Sequence, residues 1–187
     1  NILNEMVEKA LQNGVKVLQF RDKKLTDSEA EPYCRDLQAL CKKYNCLFII
    51  DDRPYLADKI NADGLHLGKD DMDLKEAKKI FPKGIIGVSC YGSIKKAIEA
   101  QKNGASYVAF GSFYQSPTKP TSEIVPHSIL LEAKKILTIP ICAIGGINIH
   151  NIHEIASCNP DMISVVSAVW NGDVEDNIIK LKQGMLL

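Results

Sequence analysis

The sequence has no excess charge, no paired cysteine spacing and no long apolar run. Lys plus Arg and Asp plus Glu number 23 each, so no broad basic field exists to attract nucleic acid. The six cysteines (Cys34, Cys41, Cys46, Cys90, Cys142, Cys158) contain no C-x-x-C pair, which removes zinc-ribbon and thioredoxin readings on spacing. No run of eighteen apolar residues occurs, so no membrane span is expected. No signal peptide precedes the first helix-like segment. A G-x-G-x-x-G is missing after the first strand candidate, and a dinucleotide-binding reading loses its main support. Gly-Val-Ser-Cys-Tyr-Gly at 87–92 is not a G-x-S-x-G elbow, and no Ser–His–Asp arrangement is evident.

What is present is the composition of a globular domain. Apolar residues make up 45% and charged residues 25%, which excludes a disordered or collagenous chain. The 187 residues suit a single domain, 1–187, able to bury a core without disulfide or metal staples. Unpaired cysteine usage points to a reducing, cytoplasmic setting. Cys90 and Cys142 lie in apolar runs and read as small buried thiols.

Short apolar runs alternate with helical periodicity. The strand candidates are Val15 to Phe20, Leu47 to Asp51, Gly64 to Leu67, Ile85 to Ser89, Tyr107 to Gly111, Ile139 to Ile144 and Met162 to Ser167. Several are apolar at nearly every position, as parallel strands covered on both faces are. The helix candidates are Ile2 to Gln12, Thr26 to Tyr44, Pro54 to Lys59, Asp73 to Phe81, Ser93 to Asn103, Ser128 to Leu137, Asn148 to Ser157 and Asp173 to Gln183. Such alternation predicts an α/β fold with parallel strands and right-handed crossovers, either a barrel or a doubly wound sheet. Seven strands with eight helices favour a (β/α)8 TIM barrel whose first strand is absent from the sequence; closed barrels usually need about 200 residues or more.

Barrel chemistry sits at the C-terminal ends of strands, and polar groups collect there. Gln19, Arg21 and Lys23 alternate along an extended segment, so they share a face suited to phosphate oxygens; a surface ion-pair ladder is the alternative. Asp52 and Asp71 follow consecutive strands and can converge on Mg²⁺, or serve as solvated capping acids. Ser89, the loop Ser116-Pro117-Thr118-Lys119, Gly145-Gly146 and Val166-Ser167 end later strands. The glycine pair and Val166-Ser167 occupy the usual phosphate site of barrels, unless the glycines mark only a tight turn. His150 and His153 read as surface residues, and His66 as a packed strand histidine.

These segments, taken in order, resemble the thiamine phosphate synthase (thiamine-phosphate pyrophosphorylase) family over nearly the whole chain. They are Gln-Phe-Arg-Asp-Lys at 19–23, Ile-Ile-Asp-Asp-Arg at 49–53, Ala-Asp-Gly-Leu-His-Leu-Gly-Lys-Asp-Asp-Met at 62–72 and Ile-Gly-Val-Ser at 86–89. Tyr-Val-Ala-Phe-Gly-Ser-Phe at 107–113, Ser-Pro-Thr-Lys-Pro at 116–120, Ala-Ile-Gly-Gly-Ile at 143–147 and Val-Val-Ser-Ala-Val at 165–169 complete the set. The resemblance implies a Mg²⁺-dependent transferase. It would join 4-amino-2-methyl-5-(hydroxymethyl)pyrimidine diphosphate to 4-methyl-5-(2-hydroxyethyl)thiazole phosphate, giving thiamine phosphate and pyrophosphate. On that basis Gln19, Arg21, Lys23, Ser89 and Lys119 would hold the diphosphate, with Arg21, Ser89 and Lys119 the catalytic set. Asp52 and Asp71 would bind Mg²⁺, and Ser116, Thr118, Gly146, Val166 and Ser167 the thiazole phosphate. Asp51 stands beside the substrate where the family usually has Asn, Lys69 replaces a Gln, and Ser116 a frequent Thr. A thiazole tautomerase-like isomerase and a non-catalytic thiamine or thiazole phosphate-binding barrel are the competing readings. The implied partners are small-molecule substrates, with neither nucleic acid nor membrane, and a homo-oligomer is the family habit.

Overall fold

The computed structural model describes residues 2–117 and 119–187. Its contacts divide into two compact units, one reaching to Gly87 and one starting at Val88.

The first unit opens with α1 (Ile2–Gln12), which buries Val7, Ala10 and Leu11 and stops at Asn13-Gly14, where Gly14 takes a positive φ of 87°. Then follow β1 (Val17–Phe20), α2 (Asp27–Lys43), β2 (Leu47–Asp51), α3 (Pro54–Lys59), β3 (Gly64–Leu67), α4 (Leu74–Ile80) and the start of β4 (Ile85–Tyr91). The strand order here is β1-β2-β3-β4, with β1-β2 and β2-β3 parallel. Phe48, Ile49 and Ile50 are buried regardless of which way they point, as the apolar runs of the sequence require. Thr26 starts α2 with a capping box: its Oγ1 accepts from the Glu29 amide, and the Glu29 carboxylate accepts from the Thr26 amide.

The second unit holds the end of β4, α5 (Ile94–Lys102), β5 (Tyr107–Phe110), α6 (Ser128–Ile136), β6 (Ile141–Ile144), α7 (Ile152–Ser157), β7 (Met162–Ser164), α8 (Ser167–Trp170) and α9 (Val174–Gly184). Its strand order is β4-β5-β6-β7, with β5-β6 and β6-β7 parallel. Seven strands are found among the described residues, not the eight of a closed barrel.

Of the boundaries that differ from the sequence reading, three concern residues near the strand ends that carry the candidate site. β4 continues to Tyr91, so Ser89 lies within the strand. β7 ends at Ser164, and Ser167 opens a helix where a strand end was expected. Asn148 to Asn151 form a turn ahead of α7, in which the Asn148 amide donates to Asn151 Oδ1.

Two strand starts share one device. Asp63, just before β3, accepts from the Phe48 amide at 2.8 Å, and Asp161, just before β7, accepts from the Ile141 amide at 2.8 Å. Each acid ties the foot of its own strand to the neighbouring one.

One connection bears directly on the site. The segment Asp22–Thr26 between β1 and α2 is held from two sides. Asp22 Oδ1 accepts from the Lys24 and Leu25 amides, which lowers the Asp22 pKa. Arg53, its side chain 11% exposed, donates to the Asp22 and Leu25 carbonyls at 2.6 Å each and to Asp27 Oδ1 at 2.7 Å.

All six cysteines are free and buried. Burial raises the Cys34 thiol to about 11 and the Cys90 and Cys142 thiols to about 12. Native protein at pH 8 is therefore expected to react slowly with an aromatic disulfide reagent, and to release six equivalents once unfolded in guanidinium. Rapid labelling of a native thiol would contradict this packing. Arg53→Met removes the clamp on the β1–α2 segment and strands the carbonyls it served. Urea unfolding is expected to show a loss of about 2–3 kcal/mol, the scale of buried hydrogen bonds to a charged group.

Candidate active site

In the first unit, the alternation of Gln19, Arg21 and Lys23 turns three side chains toward the ends of β2 and β3. The β1-β2 register, Gln19 beside Ile49 and Phe20 beside Ile50, brings Arg21 level with Asp51 one step on. Asp51 is only 6% exposed. Its Oδ1 accepts from Gln19 Nε2 at 2.9 Å, and its Oδ2 pairs with Arg21 Nε at 3.2 Å. A buried carboxylate needs such compensation.

Lys23 carries the arrangement further. Its ammonium is hydrogen-bonded to Asp52 Oδ2 and lies 3.7 Å from Asp71 Oδ1 and 3.9 Å from Asp51 Oδ2. Asp52 sits at a positive φ of 57°, a conformation that Asp tolerates better than most residues. The Asp52 amide donates to the His66 carbonyl at 2.9 Å. Asp71 closes a turn beyond β3: its Oδ2 accepts from the Gly68 amide at 2.6 Å, which leaves Oδ1 toward Lys23. His66 is buried in β3, as the sequence suggested. An open cavity of about 510 Å³ lies here, lined by Lys23, Asp52, Arg53, Asp70 and Asp71 among others.

The donors can be tested against Mg²⁺. Among the described residues no group of three or more His, Cys, Asp or Glu side chains forms a metal centre by itself. Mg²⁺ does not require one, because it is commonly held by one or two carboxylates with substrate phosphates and water. Asp52 and Asp71 already face one shared cation, the Lys23 ammonium, and offer hard oxygen donors. They fit such an ion. Asp51 is engaged by Gln19 and Arg21 and serves them instead.

In the second unit, the segment after β5 packs directly on the glycine pair after β6. The Phe113 and Tyr114 amides donate to the Ile144 and Gly145 carbonyls at 3.3 and 3.0 Å. Gly145 and Gly146 have φ of 107° and 65°. A Cβ on Gly145 would meet Ser112 Oγ at 2.0 Å, and one on Gly146 the Gln115 carbonyl oxygen at 2.5 Å. The pair is thus a positive-φ turn that also admits a close neighbour. The Gly146 carbonyl accepts from the side-chain amides of Asn148 and Asn151, which fixes the peptide plane. Ser116 is partly exposed and Lys119 exposed; the Lys119 amide donates to the Ser116 carbonyl. Thr118 lies outside the described residues. Val166 is 51% exposed and precedes α8, whose first residue is Ser167.

Several supporting residues escaped the sequence reading. Tyr114 donates to Glu154 at 2.6 Å across forty positions, and the His127 ring packs edgewise on Phe113 and Tyr114. Burial and this carboxylate raise the Tyr114 pKa. Arg53 and Asn148 are similar cases. Asn148 and Asn151 follow the glycine pair closely enough that their turn chemistry offered a local signal; the Tyr114–Glu154 and Arg53 contacts offered none. His150 and His153 are exposed, as expected.

The family described as thiamine monophosphate synthase matches residues 1–169. The thiamine-phosphate synthase of Wolinella succinogenes is 44% identical over 170 residues, covering 91% of this chain and 78% of the relative. That of Thermoplasma acidophilum is 42% identical over 166 residues, covering 89% and 78%. The solved thiamine phosphate pyrophosphorylase of Pyrococcus furiosus superposes with a TM-score of 0.90 at 34% identity, covering 98% of this chain and 89% of its own. A 3-hexulose-6-phosphate synthase shares the fold alone, with a TM-score of 0.65 at 16% identity. With its strand-end acids and cations in place and a match across nine-tenths of its length, the chain belongs to the thiamine-phosphate synthase family.

Proposed function

We propose that this chain condenses 4-amino-2-methyl-5-(hydroxymethyl)pyrimidine diphosphate with 4-methyl-5-(2-hydroxyethyl)thiazole phosphate, releasing pyrophosphate and forming thiamine phosphate. The observation that carries the reading is the gathering of Arg21, Lys23, Asp52 and Asp71 at the ends of β1, β2 and β3 in a member of this family. The carbon–oxygen bond to the diphosphate breaks, and the thiazole nitrogen takes the pyrimidine methylene carbon. Pyrophosphate leaves readily only when its growing negative charge is met by fixed positive charge.

The chain's own residues divide the work. Arg21 and Lys23 neutralise diphosphate oxygens, with Gln19 donating beside them. Ser89 and Lys119 are further donors to the diphosphate on this reading. Asp52 and Asp71 hold Mg²⁺, which supplies Lewis-acid stabilisation of the leaving group when bound. Asp51 keeps Gln19 and Arg21 extended from β1. The backbone of Gly146, Val166 and Ser167, with Ser116 and Thr118, takes the thiazole phosphate. No side-chain nucleophile is required, which accords with a sequence that carries no triad. The (β/α)8 barrel, a cytoplasmic location and a homo-oligomeric state belong to the same reading; the barrel is supported by strand–helix alternation and parallel pairing within each unit. No helix among the described residues is long and apolar enough to cross a membrane.

The direct test mixes both substrates with Mg²⁺ and follows thiamine phosphate by conversion to a fluorescent thiochrome. Product is expected, and chelation by EDTA is expected to stop its formation. Asp71→Asn keeps an oxygen for the Gly68 amide but removes the charge; kcat is expected to fall about 10²–10³-fold, the scale of one lost transition-state stabiliser. Retention of activity would remove Asp71 from the metal site. Gly146→Ala is expected to raise KM for the thiazole phosphate well above any change in KM for the diphosphate. Equal changes in the two KM values would argue against a phosphate role for this turn.

A further inference from the structure

The Lys23 ammonium occupies a place that the proposed function gives to another cation. It contacts Asp52 and lies within 4 Å of the nearest oxygens of Asp51 and Asp71. No other Lys or Arg is paired with Asp52 or Asp71 among the described ion pairs; Arg21 is paired with Asp51. The three carboxylates are 8%, 13% and 16% exposed in their side chains, whereas Lys23 is 48% exposed. The acids are therefore fixed, held by Arg21 and Gln19, by the turn at Gly68 and by the backbone bond at Asp52. The lysine is the exposed partner, a point charge on a long stem that reaches in from the solvent side. Its root is not mobile, because Arg53 and Asp22 clamp the segment that carries it.

We infer that Lys23 is the resident counter-cation of the Asp51/Asp52/Asp71 cluster in the metal-free protein, and that a divalent cation enters by displacing it. This rests on the assignment of Asp52 and Asp71 as metal-binding residues. Two positive charges cannot share the cluster at little cost, because like charges a few ångströms apart near a protein surface repel one another strongly. Entry of the metal thus pushes the Lys23 ammonium outward. An anion arriving with the metal gives that ammonium a new partner, so the same lysine restrains binding of the bare ion and favours the ion that comes with diphosphate. Lys23 acts on the metal as a positioning residue, separately from any contact with substrate.

The test measures binding of Mn²⁺ alone, with no substrate, by the electron paramagnetic resonance signal of the free ion. Lys23→Met is expected to bind one Mn²⁺ at least about tenfold more tightly than the unaltered protein, a conservative share of the repulsion given the exposure of the lysine. Lys24→Met removes the same charge one residue away and is expected to change affinity less than about twofold, which separates a local exchange from a general field effect. The unaltered protein offers a second measurement: acylation of lysines read by mass spectrometry. Mg²⁺ is expected to raise labelling of Lys23 and to leave Lys24 unchanged. Equal Mn²⁺ affinity in the unaltered protein and Lys23→Met, with binding abolished by Asp71→Ala, would overturn this inference and leave the metal assignment standing. Unchanged or reduced labelling of Lys23 on adding Mg²⁺ would also overturn it. Failure of the unaltered protein and Lys23→Met to bind Mn²⁺ would overturn the metal assignment and this inference together.

Discussion

A carboxylate buried at the end of a parallel strand must find positive charge or hydrogen-bond donors, because its desolvation costs several kcal/mol otherwise. Asp51 sets that demand here, and the neighbouring strand meets it. Gln19 and Arg21 answer from β1, and Lys23 reaches past them to Asp52 and Asp71. These strand ends of the first unit are thus organised around buried acids and more exposed cations. Even the β1–α2 segment follows from this, since Arg53 and Asp22 hold it where Lys23 can reach the cluster.

The same logic accounts for what was legible in the sequence. The alternation of Gln19, Arg21 and Lys23 is a property of extended backbone, so their shared direction could be read from spacing alone. The acids at 51 and 52 could be placed at a strand end because the run Leu47 to Ile50 before them is unbroken, whereas Asp71 follows the end of β3 at Leu67 by four residues. What spacing does not encode is which acid pairs with which cation. Asp51 is thirty-two positions from Gln19, and the two meet only through strand register. The resemblance places Asp51 beside the substrate, and its oxygens also accept from Gln19 and pair with Arg21. The role of Arg53 as a clamp depends on a loop twenty-six to thirty-one positions earlier.

The second unit is built on backbone where the first is built on charge. Its glycine pair is legible as a motif, but the reason for two glycines in succession is not local. The positive φ values account for part of it; the rest is the carbonyl of Gln115 and the side chain of Ser112, which stand where side chains would go. Tyr114 and Glu154 then pin that incoming segment to α7. The short helix from Ser167 illustrates the limit of periodicity. A four-residue helix is too brief to show a period, and its first residue, Ser167, reads as the end of the preceding strand.

Asp63 and Asp161 stand at the opposite ends of the strands from all of this. Each accepts from a backbone amide at the start of the neighbouring strand. The strands are therefore polarised in what they contribute to a living cell. A substitution at a strand foot would be felt as a shortage of protein, through degradation of a chain that folds less completely. One at a strand tip would be felt as normal abundance with poor turnover. The direction of the strand, more than depth in the core, would separate these two kinds of genetic lesion.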